Sequence, residues 1–375
     1  MPIVQGGMGV GISAHRLAGA VAAENAVGTV ASIDLRCHHP DLMEMTRRLK
    51  NREANKAAIC KANNIALDRE IRQARQIAQG RGLVAVNVMR AISQYQEHVR
   101  QSCESGAEAI VVGAGLPLDL PDLTTDFPRV ALLPILSDER GVRLILKKWM
   151  RKGRLPDAIV IEHPAYAGGH LGAARKEDVG DHRFDFETVI PGVLQAFKDL
   201  GLESEKIPLI PAGGLGLHDK VARMFGLGAA AVQVGTAFAV TEEGDAHPEF
   251  KKVLIGAARE KIVEFMSCAG LPARAVLTPW LEKYLSRESH LMKAAEQRSH
   301  QCTLAWDCLV SCGLRDANPK HGQFCIDNQL LAAVRGDVDK GLFFRGKSAL
   351  PFGSAIRHVR ELIQYLLTGE KPQLA

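Results

Sequence analysis

Eight short apolar runs, separated by longer helical stretches, constrain the fold of this chain more than any other feature. The runs are Pro2–Gln5, Gly28–Ser32, Leu83–Val88, Ala109–Gly113, Val130–Leu136, Ala158–Glu162, Ile207–Pro211 and Ala230–Gly235. The helical stretches between them are Ala14–Glu24, Glu53–Gln79, Ser93–Ser105, Glu139–Lys152, Asp185–Leu200 and Asp219–Phe225. Short apolar runs that alternate with helices are typical of buried parallel strands. Since eight strands close a (β/α)8 barrel, the sequence predicts an α/β TIM barrel, with a doubly wound open sheet as the structural alternative.

The alternation stops after about Thr241, and this change predicts a second region. We expect residues 1–245 to form the barrel and residues 246–375 to form a mostly helical C-terminal extension. The extension carries a four-cysteine segment at residues 302–325. It is expected either to pack on the barrel or to form a small domain of its own.

Composition restricts the class of protein and of partner. The chain has 375 residues, of which 46% are hydrophobic and 24% charged, as expected for a globular protein with a full core. The net charge of +5 is spread along the chain, which does not favour nucleic acid as a partner. No apolar run approaches a membrane span, and the N-terminal MPIVQGGMGV lacks the pattern of a secretory signal. We therefore expect a cytoplasmic protein with reduced cysteines, a small-molecule substrate and a homodimer through the extension.

Glycine is concentrated where the predicted strands end. In parallel α/β folds, the residues just past the carboxyl ends of the strands form the functional site. The segments at these positions include 5-QGGMGVG-11, 113-GAGLP-117, 167-AGGHLG-172, 211-PAGGLG-216 and 233-QVGT-236. Glycine lets the backbone approach a ligand closely and leaves N–H groups available to an anion. A flexible surface turn is the alternative for any single segment.

The last two of these segments follow the seventh and eighth strands, where barrels commonly bind a phosphate group. Gly213 and Gly214 lie in the first of them, and Gly235 precedes the hydroxyl of Thr236 in the second. Each could simply be a tight turn. Together they indicate a cofactor that carries phosphate.

In order and spacing, these motifs resemble the FMN-dependent nitronate monooxygenases, formerly called 2-nitropropane dioxygenases. The motifs that carry the resemblance are PIVQGGMGVG, Asn87 in the third strand, AGGHLG, PAGGLG and AVQVGT, over about residues 1–280. This family is related to flavin-dependent enoyl-ACP reductases and quinone reductases of the same fold. The resemblance implies that FMN lies across the top of the barrel.

The resemblance also implies which residues contact the flavin. The phosphate is expected at Gly214, Gly235 and Thr236, with Gln233 and Val234 lining the same strand end and Gly213 as a further cofactor-binding residue. Asn87 is expected at the ring or ribityl chain, Met8 and Gly9 under the isoalloxazine, and Glu162 and Gly168 at further contacts. A glutamine is common in relatives at the position of Glu162. His170, between Gly169 and Leu171, is expected to be the catalytic residue, whereas His163 is expected to lie behind the site.

The implied reaction is the oxidative denitrification of alkyl nitronates to a carbonyl compound and nitrite, with oxygen. His170 could remove a proton next to a nitro group, or hold an anionic nitronate when it is protonated. The alternative is a flavin reductase of the enoyl-ACP or quinone reductase type that uses NAD(P)H. No separate GxGxxG unit for a dinucleotide is evident. A flavin-binding accessory subunit is a third, non-enzymatic interpretation.

The four cysteines of the extension suggest a second cofactor. Cys302, Cys308, Cys312 and Cys325 could bind zinc or an iron–sulfur cluster through their thiolates. If Cys308 and Cys312 lie on one helix, they share a face. The spacing is not the C-x2-C pairing of ordinary zinc sites. The alternative is that all four cysteines are small, buried core residues.

Overall fold

The computed structural model describes residues 1–47, 51–297, 302, 304 and 306–372. A closed barrel of eight parallel strands confirms the predicted α/β TIM barrel. Its strands are β1 (Ile3–Gln5), β2 (Val27–Ala31), β3 (Leu83–Met89), β4 (Ala109–Gly113), β5 (Ala131–Leu136), β6 (Ile159–Glu162), β8 (Leu209–Ala212) and β9 (Val232–Val234), and a short strand, β7 (Gly169–His170), stands outside the barrel. Pairing of β9 with β1 closes the barrel.

Helices surround the barrel and form much of the region that follows it. Those within the barrel region are α1 (His15–Ala23), α2 (Pro40–Met45), α3 (Arg52–Ala78), α4 (Tyr95–Glu104), α5 (Leu120–Leu123), α6 (Glu139–Met150), α7 (Phe186–Asp199), α8 (His218–Gly226) and α9 (Thr236–Ala239). The extension contains α10 (Pro248–Gly256), α11 (Pro279–Leu285), α12 (Glu288–Ala294), α13 (Gly313–Asp316), α14 (Ile326–Val334) and α15 (Val359–Thr368). In the described residues, no helix combines the length and apolar character needed to cross a bilayer.

The barrel strands are apolar on both faces because each face is covered. All five residues of β2 and all five of β4 are buried. Helices cover the outer face, while side chains such as Val4, Val111 and Val160 fill the interior. Continuous burial of this kind explains why short apolar runs marked the strands in the sequence.

The extension contains a small sheet that the expectation of a mostly helical region missed. Strand β10 (Ile262–Met266) pairs with β11 (Pro272–Val276), and β11 pairs in turn with β7. The letters IVEFM and PARAV do not alternate between apolar and polar residues, because β11 is buried at every position. The pairing sets His170 opposite Ala273, so the extension fixes the backbone of the expected catalytic residue.

Candidate functional site

A cavity of about 650 Å³ opens at the carboxyl ends of the barrel strands. Its walls bring together all twelve residues that the sequence marked for flavin binding or catalysis. They are Met8, Gly9, Asn87, Glu162, Gly168, His170, Gly213, Gly214, Gln233, Val234, Gly235 and Thr236. These residues lie at or after the carboxyl ends of five barrel strands, β1, β3, β6, β8 and β9, so the closure of the barrel assembles them at one place.

One end of the cavity offers unpaired backbone donors. Within the described residues, the N–H groups of Gly213, Gly214 and Gly235 donate to no protein acceptor. The Thr236 hydroxyl accepts the N–H of Gly346 at 3.1 Å, which leaves its own proton free to donate. Several free donors in one concavity are suited to a phosphate group.

The floor of the cavity is built by close contact between backbone and side chain. A Cβ placed on Gly7 would lie 2.3 Å from Cβ of Asn87, so no larger residue fits there. The Asn87 amide donates weakly to the carbonyl of Val111 at 3.4 Å. Glycine at position 7 therefore lets the loop after β1 pack directly against Asn87.

His170 projects into the cavity from β7. Its Nε2 lies 3.1 Å from the Ser267 hydroxyl, and the ring centroid lies 5.7 Å from that of Phe344. Among the described residues, Nδ1 makes no hydrogen bond. Burial lowers the pKa of His170 to about 4, so the ring is neutral at neutral pH. The expected alternative, in which a protonated His170 holds the nitronate, is therefore disfavoured.

His163 lies behind the cavity wall, where the sequence placed it. Its Nε2 is 3.3 Å from an Asp185 carboxylate oxygen, and its Nδ1 accepts the N–H of Ala165 at 3.2 Å. The ring packs edge-on against Tyr166 and Phe186. Both nitrogens are thus occupied in holding the loop that leads to His170.

The extension contributes cavity residues that sequence reasoning missed. They include Leu271, Ile326, Asp327, Leu330, Phe344, Arg345 and Ser348. The segment 335-RGDVDKGLFFRG-346 could have indicated part of this contribution, because two adjacent aromatic residues in a turn-rich stretch are expected to pack against another part of the molecule. Phe343 stacks on Phe250 in the core, while Phe344 faces His170.

The cysteines of the extension do not form the expected arrangement. Cys308 lies in a loop and lines the cavity, whereas Cys312 precedes α13, so the two do not share a helix face. A hydrogen bond from the Cys268 thiol lowers the pKa of Cys312 to about 6. Burial raises the pKa of Cys308, and raises that of Cys325 to about 12.

A metal would need several thiolates at one point. Across residues 1–47, 51–297, 302, 304 and 306–372, no group of three or more His, Cys, Asp or Glu is placed to hold a metal ion. The interpretation of Cys302, Cys308, Cys312 and Cys325 as a zinc or iron–sulfur site therefore gains no support.

Comparison with known proteins points to one family. A family model described as nitronate monooxygenase matches residues 1–369. A probable nitronate monooxygenase of Bacillus subtilis (strain 168) is 27% identical over 293 residues, which cover 75% of this chain and 78% of that protein.

Two solved structures share the fold. The structure of FabK from Thermotoga maritima has a TM-score of 0.66 at 22% identity. The match covers 97% of this chain and 90% of the FabK chain. The structure of a nitroalkane oxidase from Streptomyces ansochromogenes has a TM-score of 0.64 at 18% identity. The match covers 98% of this chain and 94% of that chain. At these identities the two structures bear on the fold alone.

Proposed function

Since the chain belongs to the nitronate monooxygenase family and is a flavin-dependent oxidoreductase, we propose that it uses FMN to convert alkyl nitronates into carbonyl compounds and nitrite, with oxygen as the acceptor. One observation carries the proposal. A neutral histidine, His170, faces a glycine-lined cavity with an unpaired ring nitrogen. A neutral imidazole is the form that can accept a proton from the carbon next to a nitro group, so this ring could generate the nitronate from a neutral nitroalkane inside the same cavity.

The cavity is compatible with FMN. The N–H groups of Gly213, Gly214 and Gly235 with the Thr236 hydroxyl would hold the phosphate, and Asn87 would lie beside the ring or the ribityl chain. FMN, when bound, supplies the redox chemistry of the reaction. The protein supplies orientation, exclusion of water and the movement of protons.

His170 moves the proton at Nδ1. When Nε2–H donates to the Ser267 hydroxyl, the lone pair of Nδ1 faces the cavity. Ser267 is fully buried and also accepts the N–H of Ala269 at 3.3 Å, so it holds the ring in one orientation. Phe344 covers the other side of the ring and limits the access of water. A neutral nitroalkane would lose its proton to Nδ1, and a nitronate would already lack it.

The test is anaerobic absorbance spectroscopy of the purified holoprotein. Propionate 3-nitronate goes into one cuvette and NADH or NADPH into another. Loss of the oxidised flavin band with the nitronate alone is the expected result, and aerobic turnover should release nitrite. Rapid bleaching by the nucleotide, with no response to the nitronate, would contradict the proposal and favour the NAD(P)H-dependent reductase.

A further inference from the structure

Two cysteines from separate parts of the chain meet beside the residue that orients His170. Cys268 lies in the turn between β10 and β11, and Cys312 directly precedes α13. The Cys268 thiol donates a hydrogen bond to the sulfur of Cys312. Both residues are buried, and both are free thiols in this structure. The proposed reaction uses neither of them.

The backbone holds the two cysteines side by side. The N–H of Gly313 donates to the carbonyl of Cys268 at 2.7 Å. A Cβ on Gly322 would lie 3.0 Å from the nitrogen of Cys268, so a third segment presses on the same turn. Disulfides join residues whose Cα atoms are about 4.4–6.8 Å apart, and residues linked through one backbone hydrogen bond fall within that reach. The two sulfurs therefore need only a small approach to form a bond.

The two sulfurs differ in reactivity. The hydrogen bond from Cys268 is the main reason why the pKa of Cys312 is lowered to about 6. The N–H groups of Arg315 and Leu314, at the start of α13, lower it further. Cys312 is 6% exposed and adjoins the exposed Ser311, whereas Cys268 is 0% exposed. Since the thiolate is the nucleophilic form, Cys312 is the sulfur that a small oxidant reaches and reacts with first.

The neighbouring thiols are less suited to this role. Burial raises the pKa of Cys308 and raises that of Cys325 to about 12, so both are protonated at neutral pH. Among the described residues, neither of these two exchanges a hydrogen bond with another thiol. Cys268 is therefore the partner that the structure provides for Cys312.

One residue connects this pair to His170. Ser267 directly precedes Cys268, and its hydroxyl lies 3.1 Å from Nε2 of His170. The carbonyl of Ser267 accepts the N–H groups of Gly270, at 3.0 Å, and Gly322, at 2.9 Å. Because this turn is tight, a shift of Cys268 also moves the hydroxyl that orients the His170 ring.

We propose that Cys268 and Cys312 are a redox-sensitive pair that a hydroperoxide converts into a disulfide. The disulfide slows turnover because it draws Ser267 away from its hydrogen bond with His170. Formation of the disulfide is independent of the substrate, whereas its effect on turnover rests on the proposed function of His170.

The oxidation consumes one peroxide. The Cys312 thiolate attacks an oxygen of hydrogen peroxide, the O–O bond breaks, and hydroxide leaves, which gives a sulfenic acid on Cys312. The Cys268 thiol then attacks that sulfur, so that the S–S bond forms as the S–O bond breaks and water leaves. In total the two thiols lose two electrons and two protons, and the peroxide is reduced to two molecules of water.

The first measurement maps the thiols of the wild-type holoprotein. The protein is treated with hydrogen peroxide, unfolded in an alkylating reagent, digested and analysed by mass spectrometry. We expect the eight alkylated cysteines of the untreated protein to decrease by two, with one peptide pair joined between Cys268 and Cys312. Dithiothreitol should restore all eight. Any map without this joined pair would overturn the inference, and no variant needs to fold for this result.

The second measurement is nitrite release from a nitronate by the wild type, Cys312→Ser and the control Cys103→Ser. Cys103 is a matched control because it is 6% exposed, as Cys312 is, and lies apart from the pair on α4. Peroxide should lower kcat of the wild type and the control by about ten- to a hundredfold, with KM and bound flavin unchanged. Dithiothreitol should reverse this loss. Cys312→Ser should keep its kcat in peroxide.

The remaining outcomes separate this inference from the proposed function. A joined pair with unchanged kcat would overturn the connection to His170. Stoichiometric iron or zinc in the purified protein, lost in Cys312→Ser, would overturn the whole inference, because the sulfurs would then be metal ligands. Absence of nitrite release from reduced and oxidised protein alike would refute the proposed function, while the peptide map would still decide whether the pair forms.

Discussion

The barrel and the C-terminal extension build the same cavity by different means. The barrel contributes mainly backbone, through glycine loops that line the cavity and whose N–H groups at Gly213, Gly214 and Gly235 have no protein acceptor among the described residues. The extension contributes side chains: Arg274 holds the loop before His170, and Phe344 packs against the His170 ring. Backbone donors suit a cofactor phosphate, while side chains orient the reacting group. Changes in the barrel loops should therefore affect flavin binding, and changes around β11 should affect turnover.

The largest expected effect is that of His170→Ala. With a neutral nitroalkane as the substrate, loss of a positioned base lowers kcat by about 10²- to 10⁴-fold, while the protein should stay yellow because the barrel loops are intact. Activity in the wild type depends on the neutral ring, so it is present above the pKa of about 4 and is lost as pH falls through that value. Steady-state nitrite release and flavin absorbance check both points.

The matched control for this variant is His182→Ala, since the His182 side chain is 96% exposed. It should leave kcat unchanged. A colourless His170→Ala protein would mean that the histidine loop belongs to the cofactor site. It would contradict the assignment of flavin binding to the barrel loops and of turnover to the residues around β11.

Gly168→Ala tests the contact between the regions. A Cβ at Gly168 would lie 2.5 Å from the carbonyl carbon of Arg345 and from the nitrogen of Gly346. Because backbone on both sides must shift, we expect a loss of about 1–3 kcal/mol in the free energy of unfolding, together with weaker flavin binding. Urea unfolding measures the first and fluorescence titration the second.

Gly180→Ala is the control for this substitution, because nothing lies within 4 Å of a Cβ at that position. It should leave both quantities unchanged. If Gly168→Ala were as stable as Gly180→Ala, the extension would not be packed on this loop as tightly as the structure indicates.

The sequence was sufficient for the barrel because each strand is buried on both faces. Apolar runs such as Ala109–Gly113 therefore stand out against the helices around them. Once the strands were predicted, their carboxyl ends could be located, and these ends gave the positions of the glycine loops and of His170. The small sheet could not be predicted this way, since β7 has only two residues and pairs with a strand that lies about a hundred residues later in the chain.

The contributions of the extension depend on contacts that no local pattern encodes. Nothing near Arg274 in the sequence indicates that it would be 0% exposed and donate to loop carbonyls more than a hundred residues earlier. The expected cysteine site gained no support in the described residues. Four cysteines within a short segment suggested a metal, whereas the sulfur of Cys312 instead accepts a hydrogen bond from Cys268, outside that segment.

Two adjacent aromatic residues of the extension, Phe343 and Phe344, are expected to have different roles, one in stability and the other in turnover. Phe343 is 0% exposed and stacks on Phe250, so Phe343→Ala should cost about 3–5 kcal/mol of stability. Phe344→Ala should fold normally and retain flavin, but lower kcat about tenfold, because His170 loses the ring that covers it. Thermal unfolding and steady-state kinetics of the two variants distinguish these outcomes. Equal losses of activity per folded molecule would remove the distinct role given to Phe344.

The smallest expected effect is that of replacing Thr236, whose hydroxyl lies in the barrel region and contacts the extension. Thr236 follows the barrel strand β9, and its oxygen accepts the N–H of Gly346 from the extension. Thr236→Val removes that acceptor and the phosphate donor together, at about 0.5–1.5 kcal/mol for each hydrogen bond. Flavin affinity should then fall by about five- to tenfold with little change in kcat at saturating FMN.

Thr236→Ser retains the hydroxyl and should bind FMN as the wild type does. A matching loss in Thr236→Ser would assign the effect to the methyl group and its packing. A fall in kcat without a fall in affinity would mean that this hydroxyl works on the His170 side of the cavity, through Gly346 and the neighbouring Gly168. The boundary between a binding barrel and an orienting extension would then lie inside the barrel region, between Gly235 and Thr236.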